Sequence, residues 1–203
     1  MSDILSSFSA GNSQIVIRHA KKTDVSDMLS IYAPYVRDTA ITFEYDVPDL
    51  AEFSCRLDGV TKKFPWLVAE LKGSVAGYAY ASAFHQRAAY GWCAELAIYL
   101  NKDIRGNGLG AILYTALEEL LKKQNILLLY ACIAETDCED SRLTNASTRF
   151  HSRLGFREVG RFNKCGYKFG RWFDMVWMEK RLAEPAPHPI AVIPFTSLKK
   201  AEK

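Results

Sequence analysis

The sequence contains no C-x-x-C pair, no basic stripe and no long apolar run, and each absence closes a class of function. Its five cysteines, Cys55, Cys93, Cys132, Cys138 and Cys165, are odd in number and widely spaced, which argues against a disulfide framework and a zinc site. Reduced thiols and no metal are the expectation. Lys and Arg number 26 against 23 Asp and Glu, a net charge of +3 with the signs interspersed. The electrostatic footprint of a nucleic-acid-binding protein is therefore missing, although a local cluster for a phosphorylated cofactor is compatible with this balance. The longest apolar run, 126–134, is about half of the roughly 20 residues needed to cross a bilayer, so no membrane partner is expected. The Met1 region lacks the basic start and apolar stretch of a signal peptide, and a cytoplasmic location is expected.

What is present describes one globular domain. The chain has 203 residues, 49% hydrophobic and 12% aromatic. At that length folding hides roughly 70% of the surface the unfolded chain exposes, enough for a core without disulfides or a structural metal. Residues 1–14, rich in Ser, Gly and Asn, read as a loose leader. Four of the seven prolines (Pro185, Pro187, Pro189, Pro194) fall after Leu182, so residues 183–203 read as a tail. Its Ile190, Val192, Ile193 and Phe195 are apolar enough to dock on the body or on a second subunit.

Between these ends the periodicity predicts an α/β domain with one mixed sheet. Strands are expected at 15–18, 66–71, 74–83, 92–100, 127–134, 156–161 and 173–181, the second and third joined as a hairpin by Lys72-Gly73. Helices are expected after Thr23-Asp24, after Asp49, over 109–121 where leucines recur at helical spacing, and over 147–154 up to Gly155. The wholly apolar run 127–134 suits a strand buried on both faces and paired in parallel across a helical crossover.

The most specific stretch is Arg105-Gly106-Asn107-Gly108-Leu109-Gly110, between a predicted strand and a predicted helix. Alternating glycines let the backbone approach a ligand, and successive N–H groups opening a helix form an anion site reinforced by its dipole. A diphosphate fits such a turn; so does a glycine-rich turn with no ligand. The spacing is neither the Rossmann nor the Walker pattern.

Arg105-x-x-Gly108-x-Gly110 resembles the Q/R-x-x-G-x-G/A signature of the GNAT N-acetyltransferases. The blocks Phe64-Pro-Trp-Leu-Val-Ala-Glu70, Gly77-Tyr-Ala-Tyr-Ala81, Ala89-Tyr90, Phe150-His-Ser-Arg-Leu-Gly-Phe156 and Gly166-Tyr-Lys-Phe-Gly-Arg-Trp-Phe-Asp174 are similar to its phosphinothricin and methionine sulfoximine acetyltransferase branch. The resemblance runs from about Ile15 to Leu182. It implies the GNAT fold, a mixed and mostly antiparallel sheet flanked by helices, and acetyl-CoA as cosubstrate. It places the pyrophosphate on Arg105, Gly106, Asn107, Gly108, Leu109 and Gly110. The backbone of Ile98, Tyr99 and Leu100 is expected alongside the pantetheine arm. It places Ser147 at the cofactor too, with the family's asparagine falling between Thr144 and Asn145.

Glu95 stands mid-strand among apolar residues, where a carboxylate is disfavoured and costly to bury without a partner. It either makes a cross-strand salt bridge or takes the proton of an incoming ammonium, with burial raising its pKa towards the working range. The resemblance puts the catalytic glutamate here. Phe43, Glu44, Phe84, Arg87 and Tyr90 are the expected acceptor-binding residues, Arg87 being able to grip a carboxylate. Tyr167, Lys168 and Trp172 fall at the site mouth or at a dimer contact, with packing the ordinary role for such aromatics. His151 is either a ligand contact or a helix-packing histidine, packing being the expectation. The expected activity is transfer of acetyl to a small amino-acid-like amine, with a homodimer as the assembly. A polyamine, aminoglycoside or protein N-terminus as acceptor, or a non-catalytic acyl-CoA-binding module, are the competing readings.

Overall fold

The computed structural model describes residues 4–10, 13–104 and 106–201. The chain enters as strands β1 (Ile4–Ala10) and β2 (Ser13–His19), followed by helices α1 (Val25–Asp38) and α2 (Leu50–Thr61). Strands β3 (Trp66–Leu71), β4 (Ser74–Ala83) and β5 (Cys93–Leu100) lead to helix α3 (Leu109–Lys123) and strand β6 (Leu128–Glu135). Helix α4 (Ala146–Arg153), the hairpin β7 (Arg157–Lys168) and β8 (Arg171–Arg181), and helix α5 (Phe195–Ala201) complete it. The strands form one eight-stranded sheet in the order β1-β2-β3-β4-β5-β6-β8-β7. Every neighbouring pair is antiparallel except β5 and β6, which run parallel across the α3 crossover.

Alternation along the strands splits the core between two faces. Tyr78 of β4 points to the side covered by α1 and α2, where Met28, Tyr32, Phe53 and Leu57 meet Trp66 and Val68. Ala79 and Ala81 point to the other side, where Leu113, Leu117 and Leu121 of α3 pack. The side chain of Asp49 caps α2 by accepting from the Glu52 N–H at 2.8 Å. Asp24, expected to cap α1, stands at its N-cap without a capping bond. Its carboxylate instead holds Arg18 through two bonds of 2.7 and 2.8 Å, because a guanidinium fork offers two donors at once.

Several expectations are corrected. Within the presumed leader, Ile4–Ala10 is a strand paired with β2, since ladder bonds need backbone groups and no apolar side chains. The tail, by contrast, takes one of the two options expected for its apolar residues and docks on the body: Gln124, fully buried, donates to the carbonyls of Lys63 and Ile193 at 2.7 and 2.8 Å, and Phe195 enters the α3-side core. Strand β6 is buried on both faces only towards its end; Leu128, Tyr130 and Cys132 are half exposed because no helix covers them. Strand β7 runs past Arg161 to Lys168 through an irregularity between Phe162 and Gly166, so the Gly166–Asp174 block is the tip of a hairpin.

Candidate active site

β5 pairs with β4 along its whole length, from Ala94 to Leu100, but with β6 only at Cys93, Ala94 and Glu95. Beyond Glu95 the two parallel strands part. A cleft of about 170 Å³ opens between them, lined by Glu95, Ala97, Ile98 and Tyr99 on one side and by Cys132, Ile133 and Ala134 on the other. Ile41, Tyr80, Tyr114, Leu143, Ser147 and His151 close its ends. The parting leaves a strand edge whose N–H and C=O groups have no sheet partner, an arrangement suited to an extended amide-bearing ligand.

Glu95 sits at the fork. It makes no hydrogen bond or ion pair with any described residue, and burial raises its carboxyl above the ordinary glutamate value. The cross-strand salt bridge is thus absent. Its sheet neighbours are Ser82 on β4 and Tyr130 on β6. Cys132 faces the same cleft, and burial drives its thiol up to about 12, which keeps it a neutral thiol.

On the opposite wall His151 is 3% exposed and burial lowers its pKa. Its Nδ1 lies 2.8 Å from the Ser147 carbonyl, which can only accept, so Nδ1 carries the proton. Nε2 then accepts from the Tyr114 hydroxyl at 3.1 Å. His151 packs, as expected, and fixes Tyr114 in the cleft as it does so.

At the foot of the fork, Gly106 and Gly108 have φ of 86° and 76° and lead into α3. These are left-handed conformations that glycine adopts without strain. Gly108 is the N-cap of α3, and Leu109 and Gly110 are buried in its first turn, so the first N–H groups of the helix open beside the exposed Gly106 and Asn107. Arg105 lies outside the described residues. An open strand edge leading to a glycine-rich helix start fits an acyl-coenzyme A, the edge for its amides and the turn for its diphosphate. Leu100 departs from expectation: its N–H is not free to donate to a ligand, because it donates to the Tyr35 hydroxyl at 3.0 Å while that hydroxyl donates to its carbonyl at 2.6 Å. Asn145 is also engaged, its amide bonding the N–H and C=O of Thr136 at 3.1 and 2.9 Å.

The expected acceptor residues divide. Phe84 stacks on Tyr130 at 4.3 Å and meets Trp177 and Tyr90 edge-on, building an aromatic floor on Glu95's face of the sheet. Glu44 pairs with Arg56 at 2.7 Å beside a second pocket of about 200 Å³, which shares the walls Tyr80 and Tyr99 with the cleft. Phe43 packs against Phe173 and the hairpin. Arg87 is exposed and borders a different pocket, against Val192 and Pro194 of the tail. Sequence reasoning missed Ile41, Tyr80, Tyr114 and Cys132. Tyr80 is legible as the residue alternating with Tyr78; the others come from elements whose approach no local pattern signals.

Among the described residues no helix is long and apolar enough to cross a membrane, and no cluster of metal-ligating side chains occurs. Residues 17–177 match the family model of the acetyltransferase (GNAT) domain. The phosphinothricin N-acetyltransferase of Streptomyces viridochromogenes is 31% identical over 184 residues, covering 91% of this chain and 96% of that protein. An L-methionine sulfoximine/L-methionine sulfone acetyltransferase of Pseudomonas aeruginosa is 32% identical over 168 residues, covering 82% and 94%. Among solved structures, a GNAT superfamily phosphinothricin acetyltransferase from Sinorhizobium meliloti in complex with AcCoA superposes with a TM-score of 0.80 at 32% identity, covering 90% of this chain and 97% of that one. The forked strands, the glycine turn and these relatives together make this chain a member of the GNAT acetyltransferase family, an acetyltransferase allied to the phosphinothricin and methionine sulfoximine enzymes.

Proposed function

We propose that the enzyme acetylates the primary amine of a small α-amino acid carrying an oxidised phosphorus or sulfur head, of the phosphinothricin or methionine sulfoximine and sulfone type. The acetyl donor is acetyl-CoA, which supplies the activated thioester when bound. Arg105, Gly106, Asn107, Gly108, Leu109 and Gly110 hold its diphosphate, the backbone of Ile98 on the open edge of β5 its pantetheine amides, and Ser147 the far wall. The observation that carries the reading is Glu95: a partnerless carboxylate with a raised pKa, standing where the strands fork.

Glu95 acts as general base. An amino acid arrives as an ammonium, and only the neutral amine attacks a thioester. The carboxylate accepts that proton, directly or through one water, and burial makes it a better base than an exposed glutamate. Backbone N–H groups on the open edge of β5 stabilise the oxyanion that forms in the transition state. Phe84 and Glu44 border the acceptor side, with Phe43 packed behind Glu44 against the hairpin, while Arg87 and Tyr90 border the neighbouring pocket against the tail. The exposed aromatic face of the hairpin, with Phe162, Tyr167 and Trp172, supports a homodimer, and five free cysteines support a cytoplasmic enzyme.

The test is to incubate the protein with acetyl-CoA and a panel of amines while following free thiol. Methionine sulfoximine, methionine sulfone and phosphinothricin are expected to be far better acceptors than polyamines, aminoglycosides or peptide N-termini. The reverse order overturns the acceptor assignment and leaves the acetyltransferase assignment standing.

A further inference from the structure

The segment between α1 and α2 supplies Ile41 to the cleft and Thr42 and Glu44 to the adjoining pocket, yet residues 39–45 carry no helix or strand of their own. Something else must hold them. Lys168, at the end of β7, is 3% exposed, and its ammonium donates to three carbonyls: Val36 at 2.7 Å, Thr39 at 2.9 Å and Thr42 at 2.8 Å. An ammonium has three N–H donors, and here each meets one carbonyl at or just beyond the C-terminus of α1, where the helix dipole is negative. Two further contacts flank it. A Cβ on Gly166 would lie 1.9 Å from the ring of Phe43, so that ring occupies the space a side chain would need. The Tyr45 hydroxyl donates to the Tyr167 carbonyl.

We propose that Lys168 is a positioning residue for the acceptor: it locks segment 39–45 against the β7–β8 hairpin and so sets the wall that faces the incoming amine. This inference rests on the amine-acetylation reading above. A buried lysine is costly unless every N–H is satisfied. Here the cost secures a segment whose carbonyls have no helical or strand partners, and it adds to the Ala40 N–H bond to the Arg142 carbonyl and the Glu44–Arg56 pair. The open edge of β5, which serves the cofactor, lies on other elements and does not depend on Lys168.

Three variants test the proposal: Lys168→Met, which keeps the length of the side chain and removes the donors, Gly166→Ala and Tyr45→Phe. Each is assayed with whichever amine the unmodified enzyme turns over, alongside calorimetric titration of acetyl-CoA and hydrogen exchange of peptides spanning 36–46. The expected result is an acceptor KM raised about 10- to 100-fold in Lys168→Met, the scale of a misplaced substrate wall. Acetyl-CoA affinity should stay within about twofold, and exchange should be faster only in 36–46. If Lys168→Met does not fold, Gly166→Ala and Tyr45→Phe carry the test with smaller shifts in the same direction. Unchanged KM and exchange in folded variants overturns the proposal, as does an equal loss of acetyl-CoA and acceptor binding, which marks general destabilisation. Should the unmodified enzyme acetylate no amino acid, the acceptor assignment fails, while the exchange pattern still decides whether Lys168 holds the segment.

Discussion

The two edges of β5 have the same sequence between them and opposite roles. Its edge towards β4 is bonded from Ala94 to Leu100, and that ladder is scaffold. Its edge towards β6 is bonded at Cys93, Ala94 and Glu95 and then left open, and that opening lines the candidate cleft. A backbone group already paired within the sheet has nothing to offer a ligand, whereas an unpaired one gains a bond on binding. On the proposed reading, chemistry collects where pairing stops, at Glu95, and not at the better-packed residues beside it.

The sharpest way to break the comparison is at the fork. Glu95→Gln should lower the rate by about 100- to 10,000-fold, the usual contribution of a general base, with acetyl-CoA affinity unchanged. For the unmodified enzyme kcat/KM should rise with pH through a value above the ordinary glutamate pKa, because burial raises that of Glu95 and only the ionised form accepts a proton. The same shift carries a stability sign. A carboxyl whose folded pKa is raised binds its proton more tightly when folded, so its contribution to stability falls as pH climbs from the ordinary glutamate range through the raised value. Melting curves should show Glu95→Gln gaining on the parent across that window. An unaltered rate across pH makes Glu95 structural.

Two glycines, one in the turn ahead of α3 and one on β4 against the paired edge, sharpen it further. At Gly108 nothing lies within 4 Å of an added Cβ, but φ is +76°, so Gly108→Val acts through backbone strain of about 1–3 kcal/mol at the helix start. Its effect should be a weaker acetyl-CoA affinity, by roughly 10- to 100-fold, in a folded protein. At Gly77 the backbone is ordinary, but an added Cβ would lie 2.4 Å from Leu100 Cδ2 and 3.0 Å from the Tyr99 carbonyl on the paired edge. Gly77→Val should cost about 1–3 kcal/mol of stability in denaturant titration. Equal effects of the two on cofactor affinity would erase the distinction between the edges.

The smallest expected effect is at Arg87, which the structure leaves exposed beside the tail. Arg87→Ala should weaken amino-acid acceptors a few-fold and spare amines without a carboxylate, since an exposed ion pair contributes only about 0–1 kcal/mol. A loss shared by both classes of amine removes Arg87 from carboxylate recognition.

Much of this was legible in local pattern. The leucine spacing of α3, the alternation of β4 and the glycine run ahead of α3 are written in neighbouring residues, and so is the anomaly of Glu95 amid Ala94, Leu96 and Ala97. Strand bounds moved by a residue or two, except in β7, whose passage through Asn163 and Lys164 is irregular and whose pairing depends on β8. The strand Ile4–Ala10 was illegible for a related reason: its serines carry no apolar signal, and its partner β2 supplies the ladder.

The sequence by itself determined the elements, the turn that opens α3 and the residue types available for acyl transfer, because helix period, strand alternation and left-handed glycine are properties of adjacent residues. Only the tertiary structure decided which of them meet. The fork depends on β6 leaving β5 after Tyr130 while it stays paired with β8 up to Glu135. Tyr35 reaches 65 positions along the chain to occupy Leu100. Lys168 satisfies carbonyls more than 120 positions away, and Gln124 fastens a tail whose composition left its partner open. Such contacts are set by how packed layers bring distant backbone groups within hydrogen-bonding distance, and the residues making them differ in no local way from residues that do not.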